Sequence, residues 1–307
     1  MEKLLNVREL ILEQYLKWER YLVPFGKFLA AFVVMLSIHS KIGYNTQLKS
    51  WFIAAGISLI AAFLPMMFLT VIAAVISIGH IFSASLVLAG TVSAVFVVLY
   101  LLLLRFVPQY AWAAAAIPVL SLYKLQLIVP IVLGLTSTPL SILAVAAGVI
   151  AYHILGLAKE LIEVSDFAEN EYMSLYQSIV GQMLENKEMM YSIIIFSLVV
   201  LVVFLIRIQK IDYGFELSIG AGTFVGLLGF LITGLASGKM LSVIFGSIIS
   251  GVLVLGIWFL FLALDYTKAE DLQFQDDDYY YYVRAVPKIK IEKKKKNIKR
   301  MNVKNRK

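Results

Sequence analysis

Residues 240–264 run for 25 positions without a charged side chain, and residues 189–206 and 217–238 are similarly charge-free. A helix rises about 1.5 Å per residue, so roughly 20 apolar residues cross the ~30 Å hydrocarbon layer of a bilayer. Inside that layer each segment must satisfy its own backbone N–H and C=O groups, which leaves helices and closed barrels as the spanning structures. Composition agrees: 61% of the 307 residues are hydrophobic and 15% are charged, against about 25% charged in soluble domains. The sequence therefore predicts an all-α, polytopic integral membrane protein.

Eight apolar runs are long enough to span, at about 21–39, 51–78, 81–105, 109–135, 138–158, 190–208, 214–236 and 240–264. Thr138-Pro139 reads as an N-cap followed by proline at the first helical position. Two runs, 51–78 and 109–135, are interrupted by polar residues or proline and are expected either as kinked spans or as re-entrant pairs of short helices. Residues 1–21 place Leu4, Leu5, Val7, Leu10, Ile11, Tyr15 and Leu16 at helical spacing among charges, as in an interfacial amphipathic helix. No secretory-signal pattern opens the chain, so insertion is expected to use the first span. Residues 22–158 form the first part of the membrane domain. Residues 159–189 hold seven acids and two lysines; their apolar residues recur every three or four positions, as in an amphipathic connector. Residues 190–264 hold the last three spans, and 265–307 a polar tail.

The net charge of +7 belongs to that tail: residues 284–307 carry 12 of the 27 Lys and Arg and one acid, Glu292. Cytoplasmic flanks of spans are enriched in Lys and Arg, so the tail is expected inside. Eight spans then place the N-terminus inside as well, with the acidic 159–189 segment outside. Lys41, Lys49 and Arg105 fall on the outer side in this count and disagree with it.

Pro65 and Pro118 sit in similar apolar contexts, residues 61–69 and 114–122. Proline frees a carbonyl one turn back, and in lipid such broken backbone faces protein or a water-filled cavity. Paired interruptions of this kind mark substrate paths in transporters, although proline kinks are also ordinary features of spanning helices. Lys124 lies between Pro118 and Pro130, near Gln126. A lysine at bilayer depth costs at least about 2.5–3.5 kcal/mol, unless it marks a loop and reaches the interface. With His153 these residues form a candidate intramembrane path. Asp212 and Glu216 share one helix face, where negative charge suits a helix N-terminus. Ser218, Gly222 and Gly226, then Gly234 and Gly238, then Ser247 and Gly251, repeat every four residues, a spacing that lets helices pack closely in lipid. His39, His80 and His153 have no metal-ligand spacing. The chain has no cysteine and no nucleophile elbow, P-loop or dinucleotide signature. No catalytic set, cofactor or metal is expected.

The tail is the most specific segment. Six acids between residues 265 and 278 precede Tyr279, Tyr280, Tyr281 and Tyr282, then Arg284. Aromatic and β-branched residues there favour an extended strand, which can add to the sheet of a cytosolic protein partner. Lys293, Lys294, Lys295 and Lys296 open a basic run suited to anionic lipid head groups. Nucleic acid is disfavoured, because no folded reader surrounds the run. A homo-oligomeric contact through the small-residue stripe is a second use of that stripe.

Phe274 to Lys288, FQDDDYYYYVRAVPK, closely resembles the tail signature of an uncharacterised family of multi-spanning membrane proteins from clostridial bacteria. The stretches Ile128–Leu135 and Ala147–Tyr152 are loosely similar to that family's middle. The resemblance implies a bacterial plasma membrane and brings no activity and no site residue. Three functions stay open at this point: a permease-like subunit of a transport or export system; a non-transporting scaffold that binds partners through residues 159–189 and the tail; and a membrane-embedded enzyme acting on lipid or polysaccharide.

Overall fold

A computed structural model describes residues 2–164, 179, 181–183, 185–209, 213–233, 240–259, 270–275 and 280–285. The chain forms two compact units, Met1–Ile257 and Trp258–Lys307. Most of the residues assigned to the 159–189 connector, all of Lys293 to Lys296, and Asp212, Gly234, Gly238 and Tyr279 lie outside the described residues.

The first unit is helical. Helix α1 (Glu2–Ile42) merges the amphipathic lead and the first span into one helix that runs through Pro24. Then come α2 (Trp51–Phe63), α3 (Met67–Phe82), α4 (Leu86–Leu102), α5 (Trp112–Leu122), α6 (Ile128–Thr136) and α7 (Ile142–Val164). The last helices described are α8 (Lys187–Arg207), α9 (Gly214–Ile232) and α10 (Met240–Trp258). Among the described residues six helices are long and apolar enough to cross a membrane: Lys17–Ile42, Leu86–Phe106, Pro139–Glu163, Lys187–Arg207, Gly214–Ile232 and Met240–Trp258. The protein is thus a multi-pass membrane protein by length and hydropathy.

The runs 51–78 and 109–135 are not single helices. Each is divided into two helices of about 14–24 Å, short of the ~30 Å layer. The first breaks at Leu64–Met66, where Pro65 cannot continue the backbone bonding. The freed Leu64 carbonyl accepts a hydrogen bond from Lys27 Nζ at 3.2 Å. A charge-assisted bond of this kind contributes roughly 1.5–3 kcal/mol, which accounts for a lysine ten positions into a spanning segment.

The second run breaks at Tyr123–Leu127 rather than at a proline. Pro118 lies inside α5, one turn before its end, and Pro130 lies in the first turn of α6. The two prolines that look equivalent in sequence therefore occupy different places. Helix α5 stops in a Schellman turn: Leu125 N–H bonds the Leu120 carbonyl at 2.9 Å, and Lys124 N–H bonds that of Ser121 at 3.2 Å. Glycine is usual at the left-handed position of this turn. Here Lys124 takes it, with φ 62°.

Contacts fix the direction of every helix. Loop 43–50 joins α1 to α2, which runs back along α1 to Lys27; α3 then returns to the level of that loop. There Asn45 N–H bonds His80 Nδ1 at 3.3 Å, and the Asn45 amide bonds Ser83 Oγ at 2.7 Å. Helices α2 and α3 thus form a hairpin that enters and leaves on the face where α1 ends. Helix α4 starts on that face, with Leu88 and Ala89 packed among Ile42, Ile81 and Ile154. It crosses to the face where the span of α1 began. Helix α5 rises alongside α7, with Gly148 against Ile117 and Ala114. Helix α6 descends beside α8, with Gly134 against Val203 and the Arg207 guanidinium donating to the Leu135 and Ser137 carbonyls. This second hairpin enters from the opposite face to the first. A span followed by a hairpin therefore occurs twice, in opposite sense: α1 with α2–α3, and α4 with α5–α6.

The small residues of α9 face its neighbours. A Cβ at Gly222 would strike Val203, one at Gly226 would meet Leu127 at 2.6 Å, and one at Gly251 would strike Thr223. Ser218 and Ser247 are buried. Arg105 moves to the face where the span of α1 begins, because α2–α3 returns the chain instead of crossing once.

In the second unit the described residues form an antiparallel pair, β1 (Glu270–Gln275) and β2 (Tyr280–Ala285), in the register Glu270↔Ala285 to Gln275↔Tyr280. The extended reading of the tyrosine segment corresponds to β2. Its acidic partner strand carried no such signal.

Candidate functional site

The tip of the second hairpin opens on a small polar cavity of about 70 Å³. Ser121, Lys124 and Gln126 come from the tip, Tyr152 and His153 from α7, and Ser192 from α8. Ile117, Val149, Phe196 and Phe230 close it with apolar walls. Three residues singled out in sequence, Lys124, Gln126 and His153, thus meet in one place. Pro65 is at the other hairpin's tip, Pro118 lines a different cavity, and Pro130 is buried in α6.

His153 is the twelfth residue of the 23-residue α7, which puts the cavity about 17 Å along that helix, near its middle. The depth is set by packing. Gly226 on α9 accepts Leu127 against its backbone, and Gly246 on α10 abuts the Lys124 carbonyl. No side chain larger than glycine fits at Gly246 while the tip keeps its place. Glycine at 246 is a position the four-residue stripe in the sequence did not include.

The cavity's polar groups are not paired with one another. Gln126 Oε1 is buried and has no hydrogen-bond partner among the described residues. The His153 ring meets Tyr152 edge-on, at 5.3 Å between centroids. Lys41, at the end of α1, places its ammonium 3.7 Å from the centre of the Tyr152 ring, a cation–π contact. Lys41 also lies within Coulombic reach of His153, Lys124 and Lys159. Among the described residues no carboxylate lines the cavity; two lysines, Lys41 and Lys124, lie within reach of each other there, and Glu188 lies within Coulombic reach of Tyr152.

A second, larger cavity of about 560 Å³ lies between α1, α3, α4, α5 and α7. Pro118, Ala114, Ala115, Ala147 and Ala151 are part of its wall. Three of its hydroxyls are already committed: Thr70 to the Ala111 carbonyl, Ser77 to Ala73 and Ser93 to Gly90. The packed pair α5–α7 separates the two cavities, and the larger one is predominantly apolar.

His39 and His80 meet on the far side of the first hairpin, edge to face at 5.0 Å. His80 is fully buried, and its Nε2 has no hydrogen-bond partner among the described residues. Through Asn45 this pair closes loop 43–50 onto α3. Among the described residues no group of three or more His, Asp or Glu is placed to hold a metal ion. Glu216 sits in the first turn of α9. Lys27 and Arg207 have no role in the sequence reading, and Lys41 enters it only as a cation on the outer side. A lone cation within or at the end of an apolar run, with a broken helix elsewhere in the chain, is the signal that points to such caps.

No protein-family model matches the chain, and neither a curated protein nor a solved structure matches it significantly.

Proposed function

We propose that the protein is a permease-like subunit that carries or gates a polar solute across a bacterial plasma membrane. The observation that supports this reading is the pair of span-plus-hairpin units of opposite sense, with a polar cavity at the tip of the second. Broken helices cost backbone bonding in lipid and are tolerated where they line a protein cavity or water. Inverted repeats with discontinuous helices and a midplane site are the architecture of many secondary transporters. Six crossings return the chain to its starting face, with Arg20, Arg105 and Arg207 on one side and Lys41 and Lys49 on the other; the arginines and the basic composition of residues 284–307 support a cytoplasmic reading of both ends. The clostridial resemblance of the tail supports the bacterial membrane.

The test uses single cysteines at Ser121, Lys124 and Gln126, in a chain that has none of its own. A membrane-impermeant thiol reagent is expected to reach them, and solute flux through proteoliposomes to fall on modification. Complete protection from both faces would overturn the reading.

A second reading, a non-transporting scaffold, draws on the β1–β2 pair. Among the described residues each strand keeps one unpaired edge, open to addition of a partner strand. Deleting residues 274–291 would then release a cytosolic protein in pull-down, and an unchanged set of captured proteins would count against it.

A further inference from the structure

We infer that the cavity at the hairpin tip binds a small monovalent anion, with Lys124 as its counter-charge. The inference rests on the permease reading for its consequence in transport, but the site itself is argued from its own chemistry.

Lys124 is half-buried and has neither an ion-pair nor a hydrogen-bond partner among the described residues. An ammonium at this depth is costly without a counter-charge. Among the described residues no carboxylate lines the cavity; Lys41 lies within Coulombic reach of Lys124, and the one carboxylate in reach of a lining residue is Glu188, which acts on Tyr152. The two lysines favour an anion over a cation or a neutral dipole. Ser121 and Ser192 supply hydroxyl donors, and Gln126 leaves a buried amide oxygen without a donor. A cavity of about 70 Å³ has room for a small anion together with water. An anion on Lys124 and a water that donates to both the anion and Gln126 Oε1 complete the bonding.

The backbone makes the same point. The Schellman turn at the tip would be better served by glycine, yet lysine holds the left-handed position. A strained residue retained at a cavity is a pointer to a use for its side chain.

The test is the thermal unfolding midpoint of the purified full-length protein in nanodiscs, at constant ionic strength, with chloride replacing gluconate. Gluconate is the bulky polyhydroxy reference anion. The wild type is expected to gain about 2 °C or more in chloride, and Lys124→Gly to lose that gain while remaining folded. A wild type indifferent to chloride, or a gain that survives in Lys124→Gly, overturns the site. Chloride efflux from proteoliposomes separates the two proposals. A midpoint gain without efflux leaves the site standing and overturns the permease reading; efflux without a Lys124-dependent gain does the reverse.

Discussion

Substituting Gly246 by alanine adds one methyl group and tests whether the hairpin tip is held by close backbone packing. The new Cβ would strike the Lys124 carbonyl oxygen and lie 3.0 Å from Lys124 Cβ. A flexible side-chain end can rotate away from such a contact; a carbonyl inside a hydrogen-bonded turn cannot. Either α10 or the tip must move, and overpacking of this kind costs about 1–3 kcal/mol. Other glycines give an internal scale. At Gly226 the obstacle is the end of Leu127, which can turn aside, so alanine there should cost less. Gly220 and Gly256 are exposed and have nothing within 4 Å of an added Cβ. Alanine there should be neutral or stabilising by up to about 1 kcal/mol, because helices favour it over glycine. The assay is reversible unfolding in mixed micelles. The expected order of stability is Gly220→Ala at or above wild type, then Gly226→Ala, then Gly246→Ala. If Gly246→Ala proves as stable as Gly220→Ala, α10 does not hold the tip and the description of the site's floor is wrong.

Arg207→Leu removes the cation that bonds the Leu135 and Ser137 carbonyls at the end of α6. The bonds are only part-buried and water can replace some of them, so the expected loss is about 1–3 kcal/mol, with Arg207→Lys intermediate; a change within experimental error would show that Arg207 is incidental. Lys124→Gly should raise unfolding stability in gluconate by about 1 kcal/mol, since it relieves a left-handed non-glycine residue, whereas a loss of stability would mean that the lysine side chain holds the fold.

Membrane character and the last three helices are legible in the sequence because uninterrupted apolar length is itself the physical requirement. The break at Pro65 is legible for the same reason: proline removes a backbone donor wherever it stands. The break of the second run lies at Lys124, which the sequence offers as a loop marker beside the intramembrane alternative; Pro118 does not mark it, because it is accommodated within α5 and the helix ends through a Schellman turn whose usual glycine is absent. Arg105 disagrees with an eight-span count, and the disagreement is informative: a cation on the wrong side signals that an apolar run upstream returns instead of crossing. In the tail, Tyr280–Ala285 reads as a strand from its aromatic and β-branched residues, whereas Glu270–Gln275 does not, since Glu and Asp are poor strand formers and only pairing makes it one. Lys124, Gln126 and His153 are each conspicuous in sequence; that they share a cavity with Ser192 follows only from the packing of α5, α7 and α8.

The central claim is that two short-helix hairpins enter the membrane from opposite faces. The cysteine-free chain allows a direct measurement, with single cysteines at Gln47, Ala84, Gln109 and Thr138, all exposed and all in segments between helices or at their ends. An impermeant thiol reagent applied to sealed, oriented vesicles should label Gln47→Cys and Ala84→Cys from one face, and Gln109→Cys and Thr138→Cys from the other. Labelling of positions 47 and 84 from opposite faces, or of 109 and 138 from opposite faces, would contradict it.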